Sequence, residues 1–127
     1  MSASSAAWTP PRSAMSNNFA KLLDGLVEKR GIAELDQAGF QNFMDGAGDG
    51  VVLLTEEPDL AAESWDLSVI FPELLAVSGS WRAAVMRPDG ARAIQRCFGL
   101  GRLPALLFLR DGGYVGVIEG LRGWTEF

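Results

Sequence analysis

Residues 105–109, ALLFL, form an unbroken apolar run too short for a helix of ordinary length, and such a run reads as a strand covered on both faces. Pro104 stands directly before it. A proline has no N–H to give to a sheet ladder, so it belongs ahead of the strand and not inside it. After the run, Asp111, Gly112 and Gly113 signal a hairpin, because glycine reaches the positive φ that tight turns need. Residues 114–119 alternate loosely as a second strand and stop at Gly120. Upstream, Cys97 and Phe98 end a helix that Gly99 closes. The unit is therefore helix, proline-bearing loop, buried strand, glycine turn and strand, and the rest of the chain has to supply partners for it.

The preceding segments alternate in period. Ser16, Asn17 or Asn18 can cap a first helix, in which Phe19, Leu22, Leu23, Leu26 and Val27 make one apolar stripe. Lys29 and Arg30 suit the negative end of its dipole, and Gly31 ends it. Residues 32–35 are a short strand candidate. Asp36 caps a second helix carrying Phe40, Phe43 and Met44, DGAGDG at 45–50 breaks it, and 51–54 read as a buried strand. Residues 55–65 have no internal pattern and are expected as a loop. Asp66 is expected to cap a third helix with Leu67, Ile70, Phe71, Leu74 and Leu75 on its face, kinked by Pro72. A strand at 81–86 and a short helix capped by Asp89, with Ile94, Cys97 and Phe98 on one side, lead into the opening unit. Residues 123–127 look like the first turn of a further helix. The expected organisation is a disordered extension over 1–15, with Met15 a second possible start, and a single domain over 16–127.

Composition removes several classes of function. The 127-residue chain has no histidine, which excludes Ser-His-Asp and Cys-His catalysis and His-based zinc sites. One cysteine excludes an internal disulfide and points to a reducing compartment, here the cytoplasm. No apolar run approaches the roughly 18–20 residues that span a membrane, and the first fourteen residues lack the basic start and apolar block of a secretory signal. DGAGDG lacks the acid at the fifth position and the closing glutamate of a calcium loop. Gly48 and Gly50 precede a strand where a dinucleotide fingerprint follows one. No cofactor is expected. The charge is also segregated: residues 31–81 hold ten acids and no Lys or Arg, whereas seven arginines follow from Arg82 onward against four acids. With a net charge of -5 the chain offers no basic surface for nucleic acid, while its acidic half can attract a basic partner.

After the leading helix the order is β-α-β-α-β-α-β-β. Together with Phe98-Gly99, Leu103-Pro104, the Asp-Gly turn and Pro72 inside a helix, it resembles thioredoxin. The resemblance implies an α/β, thioredoxin-like fold, a mixed central sheet flanked by helices, here with an extra N-terminal helix. It also implies that Pro104 is cis and faces the place where thioredoxins carry their C-x-x-C. Counting back from Pro72, that window falls on Ser64, Trp65, Asp66 and Leu67. Thiol–disulfide exchange needs an attacking thiolate and a resolving sulfur, and neither is present. Leu103, Pro104 and Gly120 match positions that line the thioredoxin peptide groove, where an extended peptide can add to backbone without a thiol.

Two side chains admit two readings. Cys97 reads as a small packing group beside Ile94 and Phe98 or as a one-cysteine redox site. Trp65 reads as an exposed anchor for a peptide or as a lid folded onto the core. Trp124 reads as a packing residue. The details at 49–54 (DGVVLL), 73–75 (ELL), 103–108 (LPALLF), the GGYVGV turn and Gly123-Trp124 resemble the HyaE/HupG-type hydrogenase expression/formation proteins. That resemblance implies a non-enzymatic chaperone in nickel–iron hydrogenase maturation. Its partners would be the hydrogenase small subunit, through its twin-arginine signal peptide before export, and other hydrogenase accessory proteins, with no membrane insertion. The residues it points to are Glu56, Glu57, Asp59, Glu63, Trp65 and Asp66 as an acidic lip, with Leu103, Pro104 and Gly120 as the groove. The alternatives are a redox enzyme using Cys97 and a generic peptide-binding adaptor.

Overall fold

A computed structural model describes residues 11–78 and 81–119. The extension before Pro11, Gly120, Trp124 and the helical turn expected at 123–127 lie outside the described residues. The elements are α1 (Pro11–Arg30), β1 (Ala33–Leu35), α2 (Gln37–Met44), β2 (Asp49–Leu54), α3 (Glu63–Ser78), β3 (Arg82–Met86), α4 (Pro88–Phe98), β4 (Ala105–Arg110) and β5 (Gly113–Glu119). The five strands form one sheet in the order β1-β3-β2-β4-β5. β1, β3 and β2 run parallel, whereas β4 is antiparallel to β2, with Val52 opposite Leu107, and β5 is antiparallel to β4. The expected α/β architecture, a mixed sheet flanked by helices with an additional N-terminal helix, is the one observed.

Period two along the strands divides the core. Val52 and Leu54 of β2, Ala84 and Met86 of β3, and Leu107 and Leu109 of β4 face α2 and α4, where they meet Phe40, Ala91 and Ile94. Val51 and Leu53, Val85 and Leu106 face the other way, toward Phe19, Leu23 and Leu26 of α1 and Leu67 and Phe71 of α3. The central strand β2 is thus apolar on both sides, which is why it reads as a continuous hydrophobic run. The extra helix α1 is part of the core, with Phe19 and Leu23 almost fully buried.

The local devices mostly follow the sequence. Asp36 caps α2, its carboxylate accepting from the Gly39 N–H at 2.6 Å. The β4–β5 turn consists of Asp111 (φ 48°) and Gly112 (φ 87°), a two-residue turn with positive φ at both positions as a tight hairpin prefers. It is pinned to the loop before β2, since Gly48 N–H donates to Asp111 Oδ1 at 2.7 Å and Asp111 N–H to the Gly48 carbonyl at 3.0 Å. Pro72 lies inside α3, where it has no N–H to return to the carbonyl four residues back.

Four expectations need correction. The helix expected from an Asp66 cap begins at Glu63, because turns through Glu57 and Ala61 feed directly into it; Asp66 sits in its first turn, where a carboxylate suits the dipole. The helix expected from an Asp89 cap has Arg87 at the cap and Pro88 at its first position, so that a preset φ replaces a side-chain cap. The described part of the first helix already runs from Pro11, so Ser16–Asn18 lie inside it and not at its cap. Cys97 is exposed and does not pack beside Ile94: Ile94 and Ala91 take the inner face of α4 and leave Cys97 outside.

Candidate functional site

The site is built where β2 ends. Thr55 closes the strand by donating its hydroxyl to the Met86 carbonyl at 2.7 Å, and the chain then turns through residues 56–62 into α3. Ser64, in the first thiol position of the window, is buried. Its Oγ accepts from the Glu56 N–H at 2.9 Å, while its carbonyl accepts from Ser68 Oγ at 2.7 Å. A hydroxyl that bonds the loop backbone stands where a thiol would face a disulfide. Leu67, in the second thiol position, is fully buried against the α1 side of the sheet. The window is therefore a packed helix start with no sulfur in it.

Trp65 is turned partly inward. It is half-buried on the α1–α3 core, its ring 6.1 Å from that of Phe19. The groove side is supplied by the loop before β4. The Leu103–Pro104 peptide is cis, and both residues are buried, so they floor this region and do not project from it. Their loop is fastened on two sides. Gly101 N–H donates to Glu119 Oε2 at 2.9 Å, and Arg102 pairs with Glu63 at the start of α3. That last contact joins the former redox window to the proline loop across 39 residues of sequence.

The acids sort into two groups. Glu56 is largely covered and pairs with Arg92 of α4, Nη2 to Oε1 at 2.6 Å; the Glu57 N–H donates to the same oxygen. This hydrogen bond is the main reason that the Arg92 guanidinium is held above its ordinary pKa, against the opposing effect of burial. Glu63 is the partner of Arg102. Glu57 is half-buried, and Asp59 and Asp66 are exposed along the turn and the first turn of α3. Glu56 and Glu63 of the lip are thus already bonded to the chain's own arginines. Sequence reading counted Arg92 and Arg102 in the basic half without connecting them to the loop; charge segregation was the available signal, and it carries no distances.

A concavity lies away from the window. An apolar groove of about 440 Å³ runs between the second half of α3 and the outer part of the sheet. Phe71, Leu74, Leu75, Trp81, Phe108 and Val117 line it, with Trp81 packed edge-on against Phe108 at 5.3 Å. Sequence reading placed these side chains on apolar faces without marking a groove.

A thioredoxin-type sheet, a cis proline before β4 and a window without thiols define a thioredoxin-fold protein that has lost the dithiol. Solved structures agree on the fold. Mitochondrial thioredoxin 3 from Saccharomyces cerevisiae matches with a TM-score of 0.64 at 15% identity, over 76% of this chain and 91% of its own. Plasmodium falciparum thioredoxin matches at 0.63 and 11%, over 75% and 92%. Residues 22–127 match the family described as Hydrogenase-1 expression protein HyaE, and the chain belongs to that family. Among its relatives, the hydrogenase expression/formation protein HoxO of Cupriavidus necator is 35% identical over 84% of this chain and 68% of its own length. HupG of Bradyrhizobium diazoefficiens is 32% identical over 80% and 72%. No helix among the described residues is long and apolar enough to cross a membrane.

Proposed function

We propose that this protein is a non-enzymatic chaperone of hydrogenase maturation, acting in the cytoplasm, that holds the hydrogenase small subunit by its twin-arginine signal peptide before export. Membership of the hydrogenase expression family carries the reading. The buried Ser64 and Leu67 at the thiol positions support it, because the window can present a surface but cannot exchange a disulfide. In this reading the loop acids meet the peptide's arginines, and its apolar stretch lies against the surface beside them.

The test is calorimetric titration of the small-subunit signal peptide at low and high salt. Exposed ion pairs contribute roughly 0–1 kcal/mol each, so single Gln or Asn changes are expected to weaken binding slightly. The triple change Glu56→Gln, Glu57→Gln and Asp59→Asn is expected to cost up to about 3 kcal/mol by the same arithmetic, and salt to weaken the wild type. Affinity indifferent to both salt and the triple change removes the acids from the site. Insulin reduction is expected to stay at the blank rate.

One observation favours a second reading. Cys97 is exposed, and a one-cysteine redox protein needs an accessible thiol. Hydrogenase maturation in a Cys97→Ala strain separates the two: a chaperone keeps its function and a Cys97 enzyme loses it.

A further inference from the structure

We infer that the solvent side of α3 docks a helix of a partner protein, one with an apolar seam flanked by arginine or lysine. The other long helices face water with charge: α1 exposes Lys21, Asp24 and Glu28, and α4 exposes Asp89 and Arg96. α3 is apolar all round. Leu67 and Phe71 are buried, Ile70, Leu74 and Leu75 are half-buried, and Val69, Ala76 and Val77 are exposed. A helix of that composition belongs in an interior. Yet Val69 is 45% and Val77 89% exposed, and among the described residues no other helix presents a large apolar side chain to water.

The exposed residues fall in register. Asp66, Val69, Glu73 and Ala76 follow one another at steps of three, four and three, with Val77 beside the last. That spacing keeps them on one face, and it is the seam along which helices pack side by side. From Asp66 to Val77, at about 1.5 Å per residue, the seam is roughly 16 Å long, about three turns of helix. It also repeats, since an acid followed three residues on by an apolar residue occurs twice, one heptad apart.

Charge selects the occupant. Residues 31–81 contain no Lys or Arg, so the charges of α3 are Glu63, Asp66 and Glu73 alone. Glu63 pairs with Arg102, whereas Asp66 and Glu73 have no ion pair among the described residues. A second copy of α3 would set acids against acids, and an anionic bilayer surface would repel them. A basic amphipathic helix answers both features at once: its seam covers Val69, Ala76 and Val77 while its cations meet Asp66 and Glu73. The groove between α3 and the sheet makes no such choice, because its rim charges, Asp49 and Arg110, pair with each other at 2.7 Å. The surface goes beyond the signal-peptide reading and shares only Asp66 with the loop acids.

The experiment titrates the isotope-labelled full chain with a synthetic helix of about 20 residues, long enough for its helicity to be more than marginal, with leucine along the seam and arginine beside it. Two further peptides control for chemistry: one with glutamate for arginine, and one of the same composition with the seam scrambled. The protein variants are Val69→Ser with Val77→Ser, Glu73→Lys, and Val115→Ser as an exposed valine elsewhere; thermal melts establish that each is folded. Wild type is expected to bind only the basic peptide with an intact seam, with amide shifts at Val69, Glu73 and Val77. Val69→Ser/Val77→Ser is expected to weaken binding about tenfold and Val115→Ser by less than about twofold. Glu73→Lys is expected to weaken it about fivefold, and less at high salt. Equal binding of the scrambled peptide means charge attraction alone and overturns the seam. No binding, or shifts confined to residues 56–62, overturns the inference and leaves the signal-peptide titration as an independent result. A signal peptide that loses affinity with the same two valines overturns a separate helix site. Self-association, or binding to phosphatidylglycerol vesicles, that the double substitution abolishes assigns the face to a second copy or a membrane and overturns the partner helix.

Discussion

The two faces of β4 are finished differently. Leu107 points toward α2 and α4 and is fully buried, whereas its neighbour Phe108 points toward α3 and is only half-buried beside the apolar groove. On the first face, helices cover the sheet from β3 across to β4, and the side chains they meet carry stability. On the second, α1 and α3 close over β2 and β3, and among the described residues the outer β4–β5 part lines a concavity. One sheet thus has a face given to packing and a face only partly so, and substitution costs need not track side-chain size.

The largest expected effect breaks the packed face. Leu107→Ala should cost about 2–5 kcal/mol of unfolding free energy, because a side chain with no exposure leaves a cavity that rigid neighbours fill incompletely. Phe108→Ala removes more atoms, yet it should cost less than Leu107→Ala, since among the described residues Phe108 is only half-buried and has fewer contacts to lose. Urea melts of the two variants check the order. A costlier Phe108→Ala means that something covers the groove in solution.

A smaller effect is expected at Arg87, which ties α1 to the sheet edge. It reaches Asp24 of α1 at 2.5 Å and Glu34 of β1 at 2.8 Å, and its pKa is raised chiefly by the hydrogen bond to Glu34. A raised basic group stabilises the fold below its ordinary value, so this contribution is constant through neutrality and is lost in strong alkali as the guanidinium gives up its proton. Arg87→Met should destabilise by about 1 kcal/mol at low salt, less at high salt. A melt unaffected by salt would take electrostatics out of the docking of α1.

The smallest change is expected from Cys97→Ala. The thiol sits outside the packed face, on the outer side of α4. Its loss should shift stability by less than about 0.5 kcal/mol. A larger destabilisation would place the sulfur inside that face after all.

The strands, their succession along the chain and the missing chemistry were legible in the residues. Residues 105–109, Pro104 and the Asp111–Gly112 turn are local signals, and hydrophobic period and turn stereochemistry are read within a few residues. The absence of sulfur at Ser64 and Leu67 is equally a matter of composition once the window is located. Which groups meet was settled by the fold. Segregated charge announced an acidic half and a basic half, but the pairing of Glu56 with Arg92 and of Glu63 with Arg102 depends on the crossovers that bring α4 and the β4 loop beside the end of β2. The same holds for Trp65, drawn onto Phe19 of the added helix, and for Cys97, rotated out by the two residues that took the inner face of α4. Periodicity sorts residues by face within one element; contact between elements needs distances, and those are set by the topology of the whole sheet.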